Sequence, residues 1–410
     1  MVSRFLTVLA VLVSTAPVAF GQEQAEPQTR QEALKREREE KATHLEPYRV
    51  GGFERIVSAL EDGRTFERFL NPPEGVYPRI ATVTSGSGFS LGAAYRRPRL
   101  FSKHVDFSTF ASGSLKKYWM IDGRLAMPRL AGGAAYVELY GQRFGFPQED
   151  FFGLGPASRR DDHSTYDLRS STVGATGGVR PTSWLLLTGS LERLTPRIGP
   201  GQNPDSPSVE ELFDASQIPG LTGQPDFLRY GVAADVNYRM PRGNPRKGGR
   251  YYFGYQFFDD RDLGRYSFTR FDTEVQHYIP FLNERRVIAL RALTSISDAG
   301  RGNEVPFYFQ RTLGGDENLR GFRKFRFRDE NMLLLQAEYR WEIFTAVDGA
   351  IFYDAGKVAS RPKDLTLSDL ESDYGIGFRF GSNNGIFLRV EAAFGSSAGN
   401  HFIFSYGNVF

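Results

Sequence analysis

The chain has 410 residues, 14% of them aromatic, with 44 glycines, 22 prolines, no cysteine and a formal charge of +3. This composition favours many strands and turns over a helical bundle, and the missing cysteine excludes disulfides, thiolate chemistry and sulfur-ligated zinc. Basic residues alternate with acids instead of forming one stripe, so no nucleic-acid partner is expected.

Residues 1–21 place Arg4 before an apolar run from Phe5 to Val13. They end on Ala19-Phe20-Gly21, with small residues where a signal peptidase reads, so the mature chain is expected to start near Gln22. Residues 22–75 form a second region, periplasmic in this reading. Its first part, 22–45, is rich in Glu, Gln, Lys and Arg and reads as a solvated helix or a disordered tail. Within 49–70, Phe53, Ile56, Val57 and Leu60 recur at helical spacing. That makes a short amphipathic helix, lying in a barrel mouth, on a membrane surface, or capping nothing in particular. No apolar run of about 18 residues follows, which excludes a spanning helix. A mean hydropathy below zero does not exclude spanning strands, which need an apolar residue only at every second position.

From residue 76 to 410 strand follows strand. They are expected at 79–97, with room for a preceding stub, then 105–116, 118–130, 134–146, 164–180, 183–195, 227–240, 249–260, 266–281, 285–297, 305–313, 331–344, 347–358, 372–382, 385–396 and 401–410. The seventh alternates Tyr230, Val232, Ala234, Val236 and Tyr238 with Arg229, Asp235 and Asn237, its tyrosines suiting interfacial girdles. The ninth alternates Phe271, Thr273, Val275 and Ile279 with Arg270, Asp272, Glu274 and Gln276. A packed β-sandwich core would not hold that many charges, and sandwich strands seldom exceed about ten residues. The reading is an all-β, 16-stranded antiparallel transmembrane β-barrel. Short links such as Lys117-Tyr118, Pro181-Thr182 and 281–284 are expected to alternate with long ones such as 148–163 and 197–224.

After the eleventh strand comes a Gly314-Gly315 loop carrying Leu319, Arg320, Gly321 and Phe322. On 331–344, Leu333, Leu335, Ala337, Tyr339 and Trp341 share one face, and Met332, Leu334, Gln336, Glu338 and Arg340 the other. On 347–358, Phe352, Asp354 and Gly356 share a face opposite Ile351, Tyr353 and Ala355. This succession of Leu-Arg-Gly-Phe, Ala-Glu-Tyr-Arg and Phe-x-Asp-x-Gly resembles the BamA/TamA-like surface-antigen superfamily of outer-membrane barrels. The resemblance implies a Gram-negative outer membrane and a loop after strand 11 folded into the lumen, with Arg320 reaching Asp354 and Glu338. It further implies translocation or insertion of protein or lipid through the lumen or a lateral seam. The segment Asp150–Pro156 also resembles one common in that superfamily, although a Gly-rich turn accounts for it as well.

The best-known members carry periplasmic repeats of on the order of 75 residues each with βααββ patterning, whereas only about 50 residues precede the first strand here. Receptor domains are therefore expected from separate periplasmic partners. Phe402, Phe404, Tyr406 and Phe410 fall on one face of the last strand and resemble the C-terminal signal read by barrel-assembly machinery; outer-membrane lipids are the other expected partner. The Gly- and Ser-rich stretch Ser85 to Gly92, with Gly407 in the closing strand, marks the first-to-last seam as soft.

No GxxxxGK[ST] or HExxH motif and no strand-to-helix GxSxG elbow occurs, so no catalytic residue, metal or cofactor is expected. Asp161-Asp162-His163-Ser164 and Asp259-Asp260-Arg261-Asp262 lack the ligand spacing of a calcium loop and read as solvated charges. The run Arg320, Arg323, Lys324, Arg326 and Arg328 is either a charged strand stem or a positive lumen surface for anionic solutes or lipid headgroups. Two other functions remain open beside translocation: a passive solute channel and an outer-membrane lipid hydrolase.

Overall fold

A computed structural model of the protein describes residues 72–84, 86–344, 346–382, 385–395, 399–405, 407 and 409–410. The signal-peptide and polar-tail readings for 1–21 and 22–71 lie outside the described residues, as does Tyr406.

In chain order the strands are β1 (Gly75–Thr82), β2 (Phe89–Arg99), β3 (Val105–Ser114), β4 (Trp119–Leu130), β5 (Ala135–Phe151), β6 (Ser164–Thr182), β7 (Leu185–Pro200), β8 (Phe227–Asn237) and β9 (Gly248–Asp260). They continue as β10 (Phe268–Phe281), β11 (Arg286–Asp298), the short β12 (Arg311–Leu313) and β13 (Phe327–Asp329), β14 (Asn331–Phe344), β15 (Val347–Ala359), β16 (Glu371–Ser382), β17 (Gly385–Gly395) and β18 (Gly399–Ser405). All but β12 and β13 form one antiparallel 16-stranded sheet in sequence order, with β1 and β18 at its two ends; β12 and β13 pair with each other. The sheet curls into a barrel wall, as contacts across its interior show. Lys324 reaches Thr84 beside β1 and Glu149 on β5, while Arg320 reaches β14, β15 and β17.

Alternation at period 2 sorts the side chains. Leu139, Val173, Val232, Tyr255, Phe271, Ile351 and Tyr353 face outward and are exposed, whereas Glu192, Arg270, Gln276, Glu338, Arg340 and Asp354 face inward and are buried. An outward apolar residue meets hydrocarbon at no cost, and an inward charge finds a partner on the next strand.

Sixteen strands stand, but two placements differ from the expected ones. The stretch 79–97 is two strands, because Gly86 and Gly88 take positive φ and the Ser87 hydroxyl accepts the amides of Val83 and Thr84. Of the stretch read as a soft seam, Gly86–Gly88 thus form the tight turn between β1 and β2 and Phe89–Gly92 open β2, while Ser85 lies outside the described residues. Conversely, 305–313 is not a wall strand: Pro306 lacks a donor, Phe307–Phe309 form a 3₁₀ turn, and Phe307 is buried against Phe151 and Tyr166. The eleventh wall strand is thus β11, and the 299–330 connection turns into the interior from Val305 onward.

Connections at one end are long: 152–163, 201–226, 261–267, 299–330 and 360–370. The link through Lys117 and Tyr118, grouped above with the tight turns, joins β3 to β4 at this long-connection end; 183–184 and 282–285 lie at the other. Aromatic clusters dome the long-connection end, one around Phe151, Tyr166, Val209 and Phe307, another around Phe227, Phe258, Phe268 and Val305. At the opposite mouth the 238–247 turn crosses to β15, where Arg246 donates to both oxygens of Asp348 at 2.7 and 3.0 Å and Asn244 adds a bond at 3.2 Å.

The C terminus departs from a single aromatic face. Phe402 and Phe404 point outward with 78% and 74% exposure, but β18 ends at Ser405. Gly407 takes φ of +80°, and Phe410 turns inward to pack on Tyr278, Val287 and Ala289, with the Arg340 guanidinium 5.2 Å from its ring.

The outward polarity is directly testable. Val232→Arg, on the lipid face of β8, is expected to lower unfolding stability in bilayers by about 2–4 kcal/mol if that row lies near the midplane. Urea titration followed by heat-modifiable gel migration measures it; an unchanged midpoint would place β8 the other way round.

Candidate functional site

The site is built by the 299–330 connection and the wall from β14 to β17. The residues of Leu319-Arg320-Gly321-Phe322 divide three tasks among them. Leu319 and Phe322 are buried with Leu313, Phe327, Met332, Leu334 and Val358, a dry cluster that fastens the β12–β13 hairpin to β14 and β15. Gly321 lies flat on the wall: a Cβ there would sit 2.5 Å from Cβ of Asp373 and 2.7 Å from the Gly395 nitrogen. Only glycine permits that approach.

Arg320, thus aimed, is fully buried. Its Nε and Nη2 donate to the two carboxylate oxygens of Asp354 at 2.7 and 2.8 Å, a bidentate pair. Its Nη1 donates to Glu338 at 2.8 Å and Glu391 at 3.2 Å, and the guanidinium stacks on the Phe352 ring, 3.4 Å from its centre. The acids are shared in turn. Glu338 accepts from Arg340 at 2.8 Å and from Arg379, Glu391 from Arg389 at 2.7 Å, and Asp354 from Gln336 at 3.1 Å. Gly356 keeps β15 thin where Leu313 of the hairpin packs; a Cβ would meet Leu313 at 3.0 Å and the Leu333 carbonyl at 2.7 Å.

The structure brings together Arg320, Glu338, Phe352, Asp354 and Gly356. Glu391, Arg379 and Arg389 were not anticipated. They are legible in hindsight as inward positions on β16 and β17, with Arg389 and Glu391 two residues apart and hence on one face.

The rest of the basic run is not an open positive surface: Arg328 lies on the short strand β13, and most of the run is tied individually to neighbouring segments. Arg326 donates to Ser158 at 2.6 and 2.9 Å, and Arg328 to the Phe307 carbonyl at 2.7 Å and the Tyr166 hydroxyl at 3.2 Å. Lys324 meets Glu149 at 3.4 Å, and burial holds its ammonium below the usual lysine range against the pull of that carboxylate. Arg323 is exposed. The Asp150–Pro156 segment docks on the hairpin, the Gly155 amide donating to the Arg328 carbonyl at 2.7 Å. His163 lies between Asp150, 2.8 Å from Nε2, and the Ser206 hydroxyl, 3.3 Å from Nδ1, tying the 152–163 and 201–226 connections together.

Removing one partner of a buried ion pair costs about 3–5 kcal/mol, because the others stay buried and unpaired. Arg320→Ala is therefore expected to lower thermal stability and expose 314–330 to protease in intact cells, and Arg320→Lys to rescue little, since a point charge cannot make the bidentate bond. Gly321→Ala should expose the same segment with every charge retained. Equal protection of wild type and all three variants would mean the loop is held by other contacts.

A sequence profile of the Omp85 superfamily domain matches residues 89–410. Among solved structures the chain is similar to BamA from Haemophilus ducreyi lacking POTRA domains 1–3, with a TM-score of 0.58, 16% identity, and coverage of 86% of this chain and 77% of that one. It is also similar to CdiB from Escherichia coli, with a TM-score of 0.51, 13% identity, and coverage of 82% of this chain and 61% of that one. The chain thus spans less than two thirds of CdiB, and at these identities the likeness is one of fold. No curated protein matches it. The profile spans the wall from β2 onward together with the lumen-folded connection, and the chain belongs to the Omp85 superfamily of outer-membrane insertion and translocation barrels.

Proposed function

We propose that this chain inserts or translocates protein or lipid by opening the edge between β1 and β18, while Arg320 holds the 299–330 connection inside the lumen. The observation that carries this reading is the contrast between a locked interior and short edge strands. Arg320 is fixed to three carboxylates on β14, β15 and β17, whereas β1 has 8 residues and β18 has 7, against 17 in β5 and 19 in β6. Fewer ladder bonds separate at a short edge, so an opening there costs least. A passive channel fits less well: the lumen holds the hairpin, aromatic clusters dome one end, and Arg246 ties a turn across the other. In this reading the barrel end that carries the long connections faces outside, outer-membrane lipids bathe the wall, and Phe402 and Phe404 present the closing strand to assembly machinery. Separate periplasmic partners deliver substrate.

The absence of cysteine gives a clean background for the test. Cysteine pairs drawn from Val76 and Ile80 on β1 and Phe402 and Phe404 on β18 span that edge. Oxidation should abolish insertion of a small test barrel into liposomes, and reduction should restore it. Full activity after complete crosslinking would exclude the gate.

One observation favours a second reading, a hydrolase: Ser206, His163 and Asp150 stand in the order of a nucleophile, base and orienting acid. The first reading expects a fluorophosphonate probe to leave the protein unlabelled. Labelling that Ser206→Ala removes would install the hydrolase in its place.

A further inference from the structure

Two features of the outward wall from β5 to β9 take no part in the lumen site. The first is a groove of about 560 Å³, floored by Ala175, Gly177 and Gly189 and walled by Leu191, Val232 and Tyr255. Cross-strand register makes it continuous, because Val137, Gly177, Gly189, Val232 and Tyr255 form one row over five adjacent strands. Its glycines are not forced by crowding. A Cβ on Gly189 would come no closer than 3.9 Å to any atom and one on Gly177 no closer than 3.7 Å, in contrast to Gly321. The emptiness therefore belongs to the outer surface and not to backbone packing.

The second feature lies directly above, toward the long-connection end. Arg193 follows Leu191 by two residues on β7, and the next rows set Arg143 on β5 level with Ser171, and Arg169 on β6 opposite Arg197. All share the outward parity of Leu139, Val173 and Leu191. The side chains of Arg193, Arg169 and Arg197 are 71%, 61% and 52% exposed, and Arg143 is exposed as well. Two acids pair with three of these four cations, and the neighbouring Asp259 is matched by Arg261. Asp226 accepts from Arg193 at 2.9 Å and Arg197 at 2.8 Å, and Asp167 from Arg169 at 2.7 Å, while Arg143 makes no ion pair among the described residues. The patch keeps a net positive charge where the apolar band ends, the depth at which lipid headgroups lie.

We propose that this face binds one anionic lipid, its phosphorylated headgroup held by Arg143, Arg169, Arg193 and Arg197 and an acyl chain laid in the groove beneath. Guanidinium forks match phosphate oxygens, and a groove with almost no polar lining accepts hydrocarbon and little else. The occupant must carry both parts, which singles out a lipid over a free anion. The proposal does not depend on the seam: it concerns the opposite side of the ladder from β1 and β18.

The test uses the full chain in nanodiscs of phosphatidylcholine, titrated with a diphosphorylated, acylated disaccharide lipid and read by native mass spectrometry. One such lipid is expected to be retained per wild-type chain. Each of Arg143→Gln and Arg169→Gln should weaken retention about fivefold, the effect of one cation near a charged lipid surface. Gly189→Leu, which fills the groove, should abolish retention with every arginine in place. Heat-modifiable migration verifies that each variant is folded. Unchanged retention in folded Arg143→Gln and Gly189→Leu would overturn the proposal. So would displacement by inorganic phosphate, which would mark a bare anion site, or a Gly189→Cys disulfide dimer formed in place of lipid binding, which would mark a contact between two copies.

Discussion

A guanidinium withdrawn from water is the constraint around which this interior is arranged. An isolated buried charge is prohibitive, so Arg320 is tolerable only where carboxylates and a ring already surround it. Three strands supply them, Glu338 from β14, Asp354 and Phe352 from β15, and Glu391 from β17, and β16 adds Arg379, which pairs with Glu338. Those acids would repel one another without the arginines between them. Wall and loop therefore stabilise each other, and neither arrangement makes sense alone.

The same economy explains why the hairpin sits where it does. Leu319 and Phe322 on either side of the Arg320-Gly321 pair anchor in an apolar cluster, so the charged contact is framed by dry packing that keeps water from competing. Farther out, Arg326, Arg328 and Lys324 each bind a different connection or strand, so the hairpin acts as a hub joining 152–163, the 3₁₀ turn at 307–309 and β5. Its basic residues serve as individual ties.

The wall was legible because period-2 alternation is a local property. Glu338 and Asp354 announce an inward parity from their neighbours alone, and the strands carrying them run at the expected positions. What the sequence hid depended on context beyond a few residues. Ser85 to Gly88 continues an alternating pattern, and only the positive φ at Gly86 and Gly88 reveals the turn. Residues 305–313 have the aromatic content of a girdle strand, yet Phe307 finds a better partner in Phe151 and Tyr166 than in lipid. Phe410 keeps the parity of Phe402 and Phe404 on paper, but the left-handed Gly407 rotates it indoors. The role of Glu391 was hidden because it comes from β17, 71 residues away in the chain from Arg320.

That sequence separation divides the barrel into two kinds of contact with different histories. Every ladder joins strands that are consecutive in the wall, and such contacts can zip one hairpin at a time. The ties of the interior are remote: Arg246 to Asp348 spans 102 residues, Lys324 to Glu149 spans 175, and Lys324 to Thr84 spans 240. Contacts of that range form late, since the loops they close must first be brought together. The wall is thus drawn up around a lumen still wet, and its charges lose water only when the hairpin and the 238–247 turn settle. Drying is the closing event of assembly, and a chain miswired in any earlier hairpin would arrive there with a carboxylate or guanidinium that has nothing to meet.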